Sequence, residues 1–139
     1  MLSAWAVLPL DDTPPRNTEG DQYFSVTITP KSASSTLLVL ANLNVSHSAT
    51  AANTDIAVAL FRDGGTDAIA VSSAAPFSVN ANVAIPLFAK VTSGSTAATT
   101  FKLRAGAGVG GATYVNGSGG NRLYGGKMLS GLMVLEIGA

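Results

Sequence analysis

Polar and apolar residues alternate with a period of two along most of this chain, and that periodicity restricts the fold more than any single motif does. Successive side chains of a strand point to opposite faces, so a period of two specifies one face for a core and one for water. From Tyr23 to Thr29, Phe24, Val26 and Ile28 point one way, and Tyr23, Ser25, Thr27 and Thr29 the other. Pro30, which has no N–H to donate, ends that strand. In TLLVLANLNV, Thr36 to Val45, one face holds Leu37, Val39, Ala41, Leu43 and Val45, while the other turns polar only at Asn42 and Asn44. That strand is predicted to be central at its start. DIAVALFRDGG sets Ile56, Val58 and Leu60 against Ala57 and Ala59 and ends in Asp63-Gly64, a two-residue hairpin signal with TDAIAVS as the returning strand.

Further along, NVAIPLFAK carries Pro86, which predicts an edge strand or a bulge. TTFKLRA turns Phe101 and Leu103 inward and Lys102 and Arg104 outward, and ATYV is short. In MLSGLMVLEI, Leu129, Met133, Leu135 and Ile137 lie on one side and Leu132 and Val134 on the other, so both faces of the last strand need cover. SHSATAANT, TSGSTAA and GAGVGGATYVNGSGGN between these runs are loops by composition. No helical period, internal repeat or linker interrupts the pattern. The expectation is an all-β fold: one antiparallel jelly-roll β-sandwich domain of about eight or nine strands. A chain of 139 residues buries about two-thirds of the surface its unfolded form exposes, enough for a core without staples. Residues 1–10 are expected to form an N-terminal arm or short strand anchored by Trp5, and residues 11–139 the sandwich.

Eight basic and eight acidic residues give zero formal charge, which leaves no electrostatic footprint for nucleic acid or an anionic membrane. Charged residues are only 12% of the chain, against about 25% in average soluble domains, so part of the surface is predicted to be covered. Cysteine is absent, which removes disulfides, thiolate nucleophiles and thiolate metal sites. The opening MLSAWAVLPL has no basic residue before Arg16 and so lacks a secretory n-region, and no stretch approaches the roughly 18 apolar residues of a membrane span. A soluble, unexported protein is expected.

Little in the chain suggests catalysis. His47 is the one histidine and reads as a solvated loop side chain with no acid nearer than Asp55. A triad or a zinc site would need partners from elsewhere in the fold. Asp11, Asp12, Glu19 and Asp21 offer oxygen ligands, but their spacing is not that of a calcium loop and Pro14-Pro15 holds the two pairs apart. Their expected role is to shape the turns that lead into the first long strand. The glycine-rich stretch from Gly106 to Gly126 lacks the G-K-[ST] ending of a phosphate loop. The sequence therefore predicts no enzyme, no metal and no cofactor.

The segments DDTPPRNTEGDQYFSVTITPKSASSTLLV, VALFRDG, TTFKLRAG and VNGSGGNRLYGG, spanning most of residues 11–126, resemble a jelly-roll module of tailed bacteriophages that occurs in capsid cement, or decoration, proteins and in fibre tips. The resemblance implies a virion protein made in the host cytoplasm that sits on the outer surface of the capsid, binds the major capsid protein and stabilises contacts between its subunits, and pairs with itself as a dimer or trimer. The alternative it implies is a tail-fibre tip recognising host surface glycans through polar loops with Tyr114 and Tyr124. Expected contact residues are Trp5, Leu8, Arg16, Lys102, Arg104, Arg122 and Ile137.

Overall fold

The computed structural model describes residues 2–49 and 54–138. Its strands are β1 (Leu2–Ala4), β2 (Asp21–Ile28), β3 (Thr36–His47), β4 (Ile56–Arg62), β5 (Ala70–Ala74), β6 (Val83–Thr92), β7 (Thr99–Ala107), β8 (Thr113–Val115), β9 (Gly117–Ser118), β10 (Asn121–Arg122) and β11 (Gly131–Ile137). Two antiparallel sheets result. In the first, β6 pairs with one side of β3, while β11 and β8 share the other side, with β1 outside β8. The second has the order β2-β7-β4-β5, and β9 with β10 forms a small separate hairpin. The all-β antiparallel sandwich expected from the period of two is what the chain forms. Pro86 lies on β6, an edge strand, where a missing N–H costs no ladder bond.

The core is the layer between the sheets. Leu37, Val39, Leu43, Val45, Ile85 and Leu87 of the first sheet meet Ile56, Val58, Leu60, Phe101 and Leu103 of the second, all buried. Removing each of these side chains from water contributes about 1.5–3 kcal/mol. At one end of this layer Arg62 turns inward over the Phe101 ring, its Cζ 5.8 Å from the centroid. The guanidinium donates to the carbonyls of Thr92 and Ser93 and, through Nε, to Thr99 Oγ1. Its charge is thus met by acceptors where the sandwich closes.

Two local expectations change. Tyr23 does not follow the alternation, because a register shift between Gln22 and Phe24 inserts an extra residue and turns both Tyr23 and Phe24 toward the core. Its hydroxyl donates to the Thr113 carbonyl across the sandwich at 3.4 Å, and burial, reinforced by the Asp21 charge, pushes the phenol's pKa well above its ordinary value. The β4–β5 connection is also longer than the Asp63-Gly64 signal predicts. Residues 66–68 pair with residues 15–17 instead of extending β5, through Asn17 N–H to Thr66 O, Ala68 N–H to Pro15 O and an Arg16–Asp67 bridge.

Those contacts belong to a segment that closes the second sheet from outside. β4 turns Ala57, Ala59 and Phe61 away from the main core, yet they are buried, because Leu8 packs on them. The segment is held by Leu8 N–H to Ala107 O (3.0 Å), Gly20 N–H to Val7 O (2.8 Å) and Ala6 N–H to Asp21 Oδ2 (2.7 Å). It runs so close to β7 that a Cβ on Gly106 would lie 2.6 Å from Ala6 O and 3.1 Å from Leu8 N. Replacing Gly106 by Ala should destabilise the protein by about 1–3 kcal/mol in urea unfolding and expose residues 5–20 to limited proteolysis. Wild-type stability and protection would show that the segment yields without cost.

Candidate functional site

Consider the outward positions of the first sheet. Register places Met133, Leu40 and Phe88 side by side across β11, β3 and β6, followed by Leu135, Leu38 and Lys90, then Ile137, Thr36 and Thr92. The sequence makes this face apolar because Leu38 and Leu40 occupy the positions that alternation would give to polar residues. Phe88 is 61% exposed, Met133 54% and Ile137 50%, with Leu40 and Leu135 exposed beside them. Among these outward positions Lys90 alone carries a charge, on the edge strand, so the patch has an apolar centre and a polar margin. Its upper part is a groove of about 400 Å³ lined by Leu40, Ala41, Leu129, Leu132 and Met133. Contiguous apolar surface of this kind marks an interaction site.

Leu129 belongs to an Ω-loop between β8 and β11. Its neck is tied to β3: Asn116 N–H donates to Asn44 O, Asn44 N–H to Ser130 Oγ, and Ser130 Oγ to Asn116 Oδ1 at 2.6 Å. Only the later part of the glycine run predicted as loop is this excursion, because its first part includes the end of β7 and the whole of β8. Positive φ at Gly119, Gly120, Gly125 and Gly126 gives it its turns. Leu129 and Tyr124 are 77% and 76% exposed on it.

The expected contact residues do not form one site. Ile137 lies on the apolar face and Arg122 on the Ω-loop, while Trp5 is exposed after β1. Leu8 is buried by its own chain. Arg16 pairs with Asp67 at 2.9 Å. Arg104 donates to the carbonyls of Glu19 and Gly20 at 2.7 Å, and Lys102 lines a small polar hollow with Asp63 and Gln22. Met133 and Leu135 lie on the side of the last strand that the sequence already marked as needing cover, whereas Leu40 and Phe88, their neighbours across the sheet, are the residues that reading single strands missed. The signal available was that TLLVL is apolar on both faces.

The carboxylates near the N-terminus hold backbone. Asp11 Oδ1 accepts from Thr13 N–H (2.8 Å) and Thr13 Oγ1, which lowers its pKa, Glu19 Oε2 accepts from Arg16 N–H (2.8 Å), and Asp21 holds Ala6. Among the described residues no group of three or more metal-ligating side chains converges.

His47 is placed differently from the solvated loop side chain expected. It ends β3, is 1% exposed, and packs so tightly on Gly111 that a Cβ there would lie 2.6 Å from its Cε1. Nδ1 accepts from Ala49 N–H at 3.2 Å, and among the described residues Nε2 has no hydrogen-bond partner. Burial lowers its pKa, offset only in part by the backbone of Gly111 and Ala49. Because the folded pKa lies below the unfolded one, the stability this ring contributes is complete above about pH 6.5 and is lost as pH falls through the folded value. The urea midpoint of the wild type should therefore drop more between about pH 7.5 and about pH 5 than that of His47→Gln. Parallel pH profiles for the two proteins would contradict this.

The architecture defines an all-β jelly-roll sandwich with an apolar sheet face that none of the described residues covers. A family model described as the Pgp3 C-terminal domain, of a chlamydial virulence family, matches residues 16–139, and the chain belongs to that family. No curated protein matches the chain. The family assignment overturns the resemblance to phage capsid cement and fibre-tip modules, and with it the capsid-stabilising and glycan-tip functions and the location on the capsid surface. The physical reason is visible in the quoted segments. The acidic turn, the Asp63 connection and β7 are parts that build the sandwich itself, so they identify a fold and not a place of work.

Proposed function

We propose that this domain is a non-catalytic assembly module that associates with copies of itself through the outer face of β6, β3 and β11. The observation that carries the reading is the uninterrupted row of Phe88, Leu40 and Met133, backed by Leu38, Leu135 and Ile137, on a broad sheet face that none of the described residues covers. The opposite sheet has the same need and meets it internally with Leu8. A second copy suits the uncovered face for two reasons. Formal charge is zero, so copies approach without mutual repulsion. The face is also a broad sheet surface with an open groove at one end, which suits a broad partner of complementary shape. In a closed assembly, the side chains of this face form a second apolar core shared between copies.

Placing a charge at the centre of that face separates assembly from folding. Phe88→Lys and Met133→Lys should keep the wild-type circular dichroism and urea midpoint, because neither side chain contributes to the inter-sheet core. Each should raise the dissociation constant of the oligomer by about a hundredfold or more in sedimentation equilibrium, the cost of desolvating an unpaired ammonium. A wild-type chain that sediments as a monomer at every concentration reached would sink the proposal.

A further inference from the structure

Among the described residues His47 is the one ionisable side chain that is almost fully buried. Alternation along β3 puts it on the side of Leu43 and Val45, between the sheets and away from the outer apolar face. Connections at this end of the sandwich form its lid. Gly111 lies over the ring at a φ of 146°, a conformation that favours glycine. Beside the ring, Ser48 N–H donates to Ala112 O at 3.0 Å and Ala112 N–H to Ser48 Oγ at 2.8 Å, which clasps the chain after β3 to the β7–β8 connection. The His47 carbonyl accepts from Asn80 N–H at 2.9 Å, and Ser118 Oγ donates to Asn80 O at 2.6 Å, so the β5–β6 connection is tied to the same point.

This lid offers a cation nothing. A neutral imidazole is tolerated there even with one nitrogen unpartnered among the described residues. An imidazolium carries a full charge and a proton on each nitrogen, and burying it without a counter-charge costs far more. The elements packed on the ring supply none. Residues 75–82 and 108–113 contain no acidic, basic or phenolic side chain, and the sequence from Ser48 to Thr54 contains none either. Asp55 makes no ion pair with His47 among the described residues. Tyr114 of β8 stands opposite Ser46, on the alternate face. Tyr23 reaches the neighbouring Thr113 carbonyl, but its raised pKa keeps it neutral, and Asp21 beside it is bound to Ala6 N–H. Arg122, across the β9–β10 pairing from Gly117, is exposed and of like charge.

We propose that His47 is the pin of an acid-released clasp: once the ring takes its second proton, the Ser48–Ala112 contact opens and the connections that meet at Ser48, Asn80 and Gly111 lift, while the two sheets stay paired. Solvent then reaches the ring and supplies the hydration that the charge requires. The main layer need not open, because Leu37, Val39, Leu60 and Phe101 belong to the opposite end of their strands. Such a local opening is a separate event from global unfolding. It uncovers the buried Ala112 in a lid that already carries the exposed Phe77, so acid adds apolar surface at this end. The clasp is independent of self-association, since His47 does not face the outer side of the sheet.

Amide hydrogen exchange in the full chain, corrected for the intrinsic rate at each pH, tests this. Between about pH 7.5 and about pH 5 the protection of Ser48, Asn80 and Ala112 should fall by about tenfold or more, while that of Val58 and Leu103 stays within about twofold. In His47→Gln, which takes up no proton in this range, the three amides should keep the same protection at both pH values. Should that variant lose the wild-type circular dichroism spectrum, the wild-type ring serves instead. Its carbon-13 resonance should titrate below the ordinary histidine value, and the amide shifts of Ser48, Asn80 and Ala112 should follow the same midpoint.

Unchanged protection of the three amides at about pH 5, loss of protection at every amide together, or a ring that titrates at its ordinary value would overturn the proposal.

Discussion

The apolar layer between the two sheets is the constraint from which the other features follow. Leu37, Val39, Leu43 and Val45 on β3 face Ile56, Val58, Leu60, Phe101 and Leu103 on β4 and β7. A slip of one residue in any of these strands would send the whole set to the opposite face, so the layer fixes register. It also selects the exceptions. The bulge in β2 exists so that both Tyr23 and Phe24 reach the layer. Arg62 turns inward where acceptors at Thr92, Ser93 and Thr99 meet its donors.

A two-layer sandwich has two outer faces, and this chain treats them differently. The outer face of β4 is apolar and is covered by the chain's own residues 5–20, clamped through Gly106 and Asp21. The outer face of β3, β6 and β11 is also apolar at its centre and has no such cover among the described residues. The same physical demand is thus met within the molecule on one side and, among the described residues, left unmet on the other.

Most of the fold was legible in the residues. The period of two gave the strand positions of β2, β3, β4, β6, β7 and β11, and Pro86 marked β6 as an edge. The errors have local causes. Residues 66–68 look like strand but bond to residues 15–17, a pairing between distant segments that no local pattern announces. His47 sits in a run of Ser, Ala and Thr that reads as loop, while the ladder with β8 carries β3 through to that position. The resemblance to a phage module was drawn from turn and strand segments, and such segments repeat wherever this fold is built.

By itself the sequence determined that the chain would form a sandwich with a dry interior, because alternation is a property of neighbouring residues and needs no partner to be read. The tertiary structure decided which apolar surface is left over. Leu40, Phe88 and Met133 are far apart along the chain and become one face only when β3 takes β6 on one side and β11 on the other. Likewise, Leu8 looked available for a partner until the fold placed it on Ala57, Ala59 and Phe61. Exposure is a property of the assembled sheets, so it could be decided only after strand order and register had been set.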